Sequence, residues 1–455
     1  MPQSKTMLLR NAAYVATFDD GGAEYQNASI FIRDNVIEAI GPSNVLPKTA
    51  DTLLNAANLI LLPGLVNTHH HFYQTLTRNV PGTQDAALFD WLKLLYPLWA
   101  RLTPESIRVS SATAIAELMR SGCTTSADQT YIWPNGSQLD DQIAVAREMG
   151  FRFHAGRGSM SLGQSRGGLP PDLLVENEAD ILRDSQRVIE QYHDSSRYAM
   201  TRVVLAPCSP FSVSPELMKA NIALARASGV HVHTHLAETL DEERFCLDTF
   251  HRRPIELAED IGWIGDDVWH AHVVHPSLDE CMRLGETRTG VAHCPSSNMR
   301  LGSGVAPLGA LAQAGARVAL GVDGSASNDS SNMLEEARQA MLLQRVICGP
   351  GALSAREALR LATRGGASVL GRDDIGALAP GMAADIIGYR LDTLDLSGGA
   401  VHDPVAALLF CRPPSVDFSI INGKVRIKDG EFVDFDLARH IVRHNELARS
   451  LVRGE

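Results

Sequence analysis

Three consecutive histidines, His69, His70 and His71, directly follow the apolar run LILLPGLV. If that run ends as a β-strand, alternation places the side chains of His69 and His71 on one face and the side chain of His70 on the other. A single histidine is more often a structural residue than a ligand, but a pair at a strand end suits a metal ion. Because a catalytic metal normally has at least three protein ligands, we expect His69 and His71 to bind one together with residues from other segments.

Two later segments offer the missing ligands. His231, His233 and His235 alternate along the run VHVHTHL and can share one strand face, on which His235 lies nearest the C-terminal end. Asp323 ends the run RVALGVD, where an aspartate can also simply cap a turn. Three imidazoles and one carboxylate form a nitrogen-rich set that suits one divalent metal, with Zn²⁺ favoured and Fe²⁺ as the alternative.

A hydrolytic metal site also needs groups that move protons. Glu238 follows the third expected histidine ligand by three residues, too close to be a second ligand but within reach of a substrate. His272 ends the next strand candidate, VWHAH, at the corresponding position. For its neighbours His270 and His275 we favour a structural role, as buried residues bonded to the backbone. We therefore predict Glu238, His272 and the metal ligand Asp323 as catalytic residues.

Four side chains near the same strand ends are candidates for contact with a flat ring. Gln74 offers both a donor and an acceptor, and Arg157, which follows FRFHAG, offers a guanidinium for a carbonyl oxygen. Tyr131 and Trp133 are placed to stack on a ring. Each has a structural alternative, because Gln74 could be an exposed helix residue, Arg157 an ion-pair member and the aromatic rings packing between loops. We predict Gln74 and Arg157 as substrate-binding residues.

Strand and helix patterns alternate from residue 61 to residue 372. Thr103-Pro104 and Ser214-Pro215 have the cap and first-turn residues of helices, and the runs RVVLAP and GVAHCP are typical of buried strands. Such alternation predicts parallel strands, in an open doubly wound sheet or in a closed (β/α)8 barrel. We favour the barrel, because no GxGxxG follows the first strand and polar residues cluster at strand ends, where barrel enzymes form their sites.

The segments on either side of this region are rich in β patterns. Residues 1–60 and 373–455 contain hairpin signals at Asp34-Asn35 and Asn422-Gly423. We predict that the two segments pair into one small β-sandwich beside a distorted (β/α)8 TIM-type barrel, and that the chain ends in an amphipathic helix.

The composition limits the class of partner. The 455 residues carry a formal net charge of −12, which disfavours nucleic acid and anionic membranes, and no apolar run has the length of a membrane helix. The seven cysteines form no CxxC pair, so we expect reduced thiols. The start of the chain has no signal-peptide pattern. We expect a cytoplasmic enzyme with a small-molecule substrate, and we leave a homo-oligomer open.

These segments resemble the amidohydrolase superfamily, in its mononuclear deaminase and chlorohydrolase branch. The similarity covers nearly the whole chain, in PGLVNTHHH, ELMRSGCTT, HLAET, AHVVH, VAHCPSSNMRLGSG, GVDGSASNDS, LATRGGASVLG, GALAPGMAADI and INGKV. The resemblance implies the same metal ligands, His69, His71, His235 and Asp323, with proton transfer by Glu238 and orientation or proton transfer by His272. It also matches His293, whose role we leave open.

The lysines favour one metal over two. Two-metal barrels commonly bridge their metals with a carboxylated lysine on a middle strand. Between His71 and His235 the only lysines are Lys93 and Lys219, and both lie in helical patterns.

Within this branch, NTHHHFYQTLTR and ADQTYIWPNG are most similar to the 8-oxoguanine deaminases. That similarity implies hydrolytic deamination of a free oxidised purine, 8-oxoguanine, to urate and ammonia. The alternatives are s-triazine aminohydrolases or chlorohydrolases of the hydroxyatrazine type, guanine deaminases and S-adenosylhomocysteine-type deaminases. A non-catalytic scaffold is disfavoured, because every ligand position carries a competent residue.

Overall fold

The structure, a computed structural model, describes residues 5–454, so residues 1–4 and 455 of the two predicted outer segments lie outside it. Eight parallel strands form one sheet that is nearly closed on itself, and nine other strands form a mixed sheet. This arrangement confirms the predicted fold class, a (β/α)8 barrel beside a β-sandwich built from both ends of the chain.

The strands are as follows in chain order. The N-terminal strands of the mixed sheet are β1 (Thr6–Ala16), β2 (Glu24–Arg33), β3 (Val36–Pro42), β4 (Thr52–Asn55) and β5 (Leu59–Pro63). The barrel strands are β6 (Leu65–Asn67), β7 (Cys123–Thr130), β8 (Arg152–Ser159), β9 (Thr201–Pro207), β10 (His231–Leu236), β11 (Val268–His272), β12 (Gly290–His293) and β13 (Arg317–Leu320). The C-terminal strands of the mixed sheet are β14 (Ile386–Arg390), β15 (Phe418–Ile421), β16 (Lys424–Lys428) and β17 (Glu431–Phe432).

The two ends of the chain meet where β5 pairs with β14, with Leu62 opposite Ile387 in an antiparallel register. At the hairpin between β15 and β16, Asn422 and Gly423 both have positive φ, 50° and 75°, as a type I′ turn requires. Because β5 continues to Pro63, the mixed sheet extends past the predicted limit at residue 60. The other domain limits stay predictions.

The barrel strands pair in chain order from β6 to β13. Most are buried along their whole length, as expected for a parallel sheet that is covered on both faces. Just after β6, Thr68 donates its backbone N–H to the Leu320 carbonyl at the end of β13 at 3.1 Å, and this bond brings the first and last strands together. The C-terminal ends of parallel barrel strands lie on one rim, where functional side chains gather.

The helices of the described chain begin where the cap residues predict. Thr103 Oγ1 accepts the Ser106 N–H and Ser214 Oγ accepts the Leu217 N–H. None of the helices within residues 5–454 is both long enough and apolar enough to span a membrane. The α-helices are α1 (Leu88–Trp99), α2 (Pro104–Arg120), α3 (Leu139–Met149), α4 (Glu178–Tyr192), α5 (Pro215–Ser228), α6 (Leu240–Phe250), α7 (Pro254–Asp260), α8 (Leu278–Glu286), α9 (Pro295–Arg300), α10 (Leu308–Ala314), α11 (Met333–Cys348), α12 (Ala355–Arg360), α13 (Gly366–Val369), α14 (Gly399–His402), α15 (Pro404–Phe410) and the terminal α16 (Leu437–Arg453).

Candidate metal centre

The four predicted ligands converge at the C-terminal rim of the barrel. His69 and His71 follow β6, His235 lies near the end of β10, and Asp323 follows β13. Their ligand atoms all lie within 4.8 Å of one another, and all four residues are buried. Nε2 of His71 is 3.0 Å from Nε2 of His235, and Asp323 Oδ1 is 3.2 Å from Nε2 of both His69 and His71.

The hydrogen bonds of His71 and His235 define which ring nitrogen carries the proton. Nδ1 of His71 lies 2.7 Å from the Gln129 carbonyl oxygen, and Nδ1 of His235 lies 2.6 Å from the Cys208 carbonyl oxygen. A carbonyl oxygen only accepts, so each Nδ1 donates its proton. Burial lowers the pKa of His235 well below 6.5 and keeps its ring neutral. With its proton on Nδ1, His235 presents the Nε2 lone pair to the site, and Nε2 of His71 faces it at 3.0 Å.

The position of the proton on His69 is determined by its contact with a second histidine, His233. Its Nδ1 lies 2.8 Å from Nε2 of His233, whose Nδ1 lies 3.0 Å from the Trp269 carbonyl oxygen. His233 must donate to that carbonyl, so it accepts the Nδ1 proton of His69. Burial lowers the pKa of both rings well below 6.5. Nε2 of His69 is thus also unprotonated, and it has no hydrogen-bond donor among the described residues.

This pattern fits a divalent cation. Three imidazole nitrogens and a carboxylate oxygen converge within 4.8 Å of one another, away from solvent, and this is the type of ligand set that Zn²⁺ prefers. A second group of potential ligands, His69, His272 and Cys294, also lies within 4.8 Å. Burial raises the pKa of the Cys294 thiol well above 9, so this group contains a protonated thiol where the first has a carboxylate.

The backbone is unusual at three of the strand ends that supply the site. His272, Asp323 and Ala237 have φ values of 73°, 62° and 53°. Residues other than glycine rarely adopt this left-handed conformation, and when they do they are often at functional sites. The backbone turns sharply at these points, directly where β10, β11 and β13 end.

Glu238 and His272 lie next to the ligand group. Oε2 of Glu238 is 3.6 Å from Nε2 of His272, and Asp323 Oδ2 is 3.9 Å from the same nitrogen. His272 is bonded through Nδ1 to the side-chain oxygen of Asn298 at 2.9 Å, which leaves Nε2 directed at the two carboxyl groups. Burial, reinforced by the charge of Asp323, raises the pKa of Glu238 to about 8. Glu238 therefore carries a proton at neutral pH.

A small cavity opens onto these groups. Its lining includes Gln74, whose Oε1 is buried and has no hydrogen-bond partner within residues 5–454. Helix α1 lines the cavity with Leu88, Trp91 and Leu92. The sequence did not predict that this helix contributes to the site. The lining residues are His71, Gln74, Leu88, Trp91, Leu92, Tyr131, Cys208, Phe211, His235, Glu238, His272, Leu301, Asp323 and Ser327.

The structure does not bring Arg157 into this cavity. Its guanidinium is buried and forms ion pairs with Glu176 at 2.7 Å and Asp184 at 2.6 Å, and it lies over the ring of Trp133. The indole N–H of Trp133 donates to the Gly158 carbonyl instead of facing the rim. Because its N–H donors are already bonded, Arg157 has a structural role as an ion-pair member. The structure does not support the prediction that it contacts the substrate. Tyr131, in contrast, lines the cavity.

The remaining histidines of the motifs lie outside the ligand group. His70 turns away from it and contacts Ser331 Oγ at 2.9 Å, and His270 contacts the Trp263 carbonyl at 3.0 Å. His275 contacts the Ser303 carbonyl. Both ring nitrogens of His293 are buried without a hydrogen-bond partner in the described chain, so its role stays open.

Three further residues support the ligands and were missed. Gln129 and Cys208 accept from His71 and His235 through their backbone carbonyls, and His233 accepts from His69. The alternation of histidines in VHVHTHL placed His233 on the correct face, but only the three-dimensional contact with His69 indicates what it does.

Comparison with known proteins gives one family. The amidohydrolase family model matches residues 60–426. The 8-oxoguanine deaminase of Pseudomonas aeruginosa is 47% identical over 97% of this chain and 98% of its own length, and the hydroxydechloroatrazine ethylaminohydrolase of Pseudomonas sp. strain ADP is 37% identical over 99% and 98%. The crystal structure of atrazine chlorohydrolase from Arthrobacter aurescens TC1, complexed with zinc, is similar with a TM-score of 0.93 and 34% identity over 97% of this chain and 100% of that one.

Proposed function

Since this chain belongs to the amidohydrolase family, we propose that it deaminates a free oxidised purine. The reaction is the hydrolysis of 8-oxoguanine to urate and ammonia, in which the exocyclic C–N bond is replaced by a C–O bond from water. The observation that carries this proposal is a buried carboxyl group, Glu238, 3.6 Å from His272 and beside four converging ligand residues.

His69, His71, His235 and Asp323 would hold one divalent cation, which we take to be Zn²⁺, with Fe²⁺ as the alternative. When bound, the cation supplies Lewis-acid activation of water. The nitrogen-rich donor set supports zinc, as does similarity to a chlorohydrolase crystallised with zinc.

Glu238 would deliver protons to the substrate. It donates its proton to a ring nitrogen as water adds to the neighbouring carbon, and it later passes a proton taken from that water to the departing amino group. Asp323 would take the first proton of the attacking water. His272, whose Nε2 lies 3.9 Å from Asp323 Oδ2, would orient the water or share in this proton transfer.

The cavity supports a flat heteroaromatic substrate. Leu88, Trp91 and Leu92 offer apolar contact to the faces of a ring. The unpartnered Oε1 of Gln74 can accept an N–H from the edge of a purine. Similarity to an 8-oxoguanine deaminase along nearly the whole chain favours that base over the other candidates.

A panel of substrates tests this proposal. We expect zinc-loaded protein to release ammonia from 8-oxoguanine faster than from guanine, isocytosine or S-adenosylhomocysteine, and faster than it releases an alkylamine from hydroxyatrazine. Glu238→Gln is the control, and it should keep its metal while turnover falls at least ~100-fold, the scale of a lost general acid. Loss of the alkylamine from hydroxyatrazine with no ammonia from 8-oxoguanine would assign the protein to the triazine hydrolases instead.

A further inference from the structure

We propose that Glu242 is a positioning residue of this site, whose carboxylate holds the backbone turn that directs Glu238 into the cavity. This inference rests on the role proposed above for Glu238. Glu242 lies in the first turn of α6, is fully buried, and does not line the cavity.

Each carboxylate oxygen of Glu242 has one backbone donor. Oε1 accepts the N–H of Ala237 at 2.9 Å, and Oε2 accepts the N–H of Glu238 at 2.7 Å. Only a carboxylate can satisfy both donors, because the amide of a glutamine would present an NH₂ group to one of them. Glu242 thus accepts hydrogen bonds from two consecutive backbone N–H groups, those of Ala237 and of the proposed acid Glu238.

This arrangement departs from an ordinary helix cap. In the capping boxes of α8 and α12, the glutamate at the third helical position accepts the N–H of the cap residue, as Glu280 does from Ser277 at 2.6 Å. Glu242 occupies that third position in α6, whose cap residue is Thr239. Its carboxylate passes Thr239 and bonds to the two residues before it. The bonds therefore stabilise the turn before the helix more than the helix itself.

The turn needs such support because Ala237 is left-handed, with φ of 53°. Alanine rarely adopts this conformation, whereas glycine adopts it freely. The Ala237 carbonyl also accepts the N–H groups of Val274 and His275 from the loop after β11. The chain reverses at this residue, and in consequence the Glu238 carboxyl lies 3.6 Å from Nε2 of His272.

Glu242→Gln tests the inference in the full-length, zinc-loaded protein. We expect its metal content to equal that of the native protein, while kcat falls about 10- to 100-fold with little change in KM, since a displacement of 1 Å can cost ~100-fold. Hydrogen–deuterium exchange gives a readout independent of activity, and the amides of Ala237 and Glu238 should exchange faster in the variant. Native exchange at these amides, or native kcat, would overturn the inference.

A second substitution separates positioning from general destabilisation. Because glycine accepts the left-handed turn without help, Ala237→Gly in the Glu242→Gln background should restore part of the lost kcat, and it should restore none in the Glu238→Gln background. Glu280→Gln is the matched control, with a buried glutamate at the same helical position of α8; it should lower stability and leave kcat unchanged. Failure of Ala237→Gly to restore any activity would contradict the inference.

Two further results complete the design. If Glu242→Gln does not fold, Glu242→Asp keeps the charge on a shorter side chain and should give the same increase in amide exchange with a smaller loss of kcat. If Glu238→Gln itself keeps native turnover, the proposed function fails in its proton chemistry. If Glu238→Gln is inactive and Glu242→Gln is fully active, only the present inference fails.

Discussion

Glu238 and Asp323 carry the same functional group, and their surroundings give them different tasks. Glu238 is buried and lies 3.6 Å from His272, and burial raises its pKa to about 8. Asp323 faces two imidazole nitrogens at 3.2 Å, where a cation would lie. A proton donor and a metal ligand can therefore coexist within one small cavity.

The pH dependence of turnover follows from Glu238. A group with a raised pKa keeps its proton below that value and loses it above, so donation to the ring should fail as the pH rises. We expect kcat/KM to decline above a pH of about 8, the pKa of Glu238. The measurement is a pH–rate profile from pH 6 to 10, with Glu238→Gln as the control that lacks this decline. A native profile that stays flat through that range would exclude Glu238 as the acid.

Single residues were predictable where strand geometry alone determines them. Alternation separated His69 and His71 from His70, and the position at strand ends brought His235 and Asp323 to the same group. Arg157 could not be assigned in this way, because its ion-pair partners Glu176 and Asp184 lie outside its own strand. The contact between His233 and His69 depends on how two rings meet inside the barrel, which no one-dimensional pattern contains.

At the scale of elements, alternation of strand and helix patterns predicted the barrel, because strands connected through helices run parallel in one sheet. The hairpin at Asn422-Gly423 was predictable because few sequences accept two positive φ values in succession. The packing of α1 over the cavity was not predictable. Its sequence gives an apolar helix face but does not identify the surface on which that face packs.

Helix α1 should determine how tightly the ring is held. Trp91 lines the cavity, and its indole N–H donates to the Ala326 carbonyl at 3.2 Å. Because a good aromatic contact is worth about 1 kcal/mol, we expect Trp91→Ala to raise KM for 8-oxoguanine about 5-fold with a smaller effect on kcat. Leu94 lies on the same helix and is 47% exposed; Leu94→Ala should change neither constant. Equal KM values for both variants would remove α1 from substrate binding.

At the scale of the whole molecule, a buried ion pair joins the barrel to the mixed sheet. Arg152 on β8 bonds to both carboxylate oxygens of Asp385, just before β14, at 3.0 and 3.1 Å. Both side chains are almost completely buried. Removal of one partner would leave a charge in a medium that solvates it poorly.

Asp385→Asn should therefore lower the free energy of unfolding by about 3–5 kcal/mol. The control is Glu148→Gln, which removes an exposed pair with Arg108 and should cost at most about 1 kcal/mol. Urea denaturation of both variants gives the comparison. If the two losses are equal, the pair does not contribute to the junction between the two parts.

Other properties of the whole molecule stay predictions. The composition led us to expect a cytoplasmic enzyme, and a homo-oligomer was left open.

The most direct test of the central claim is the metal content of the purified protein, measured together with its deaminase activity. We predict one equivalent of a divalent metal per chain, loss of ammonia release from 8-oxoguanine when a strong chelator removes it, and recovery when one equivalent of Zn²⁺ is restored. Full activity in protein shown by elemental analysis to contain no transition metal would contradict the account.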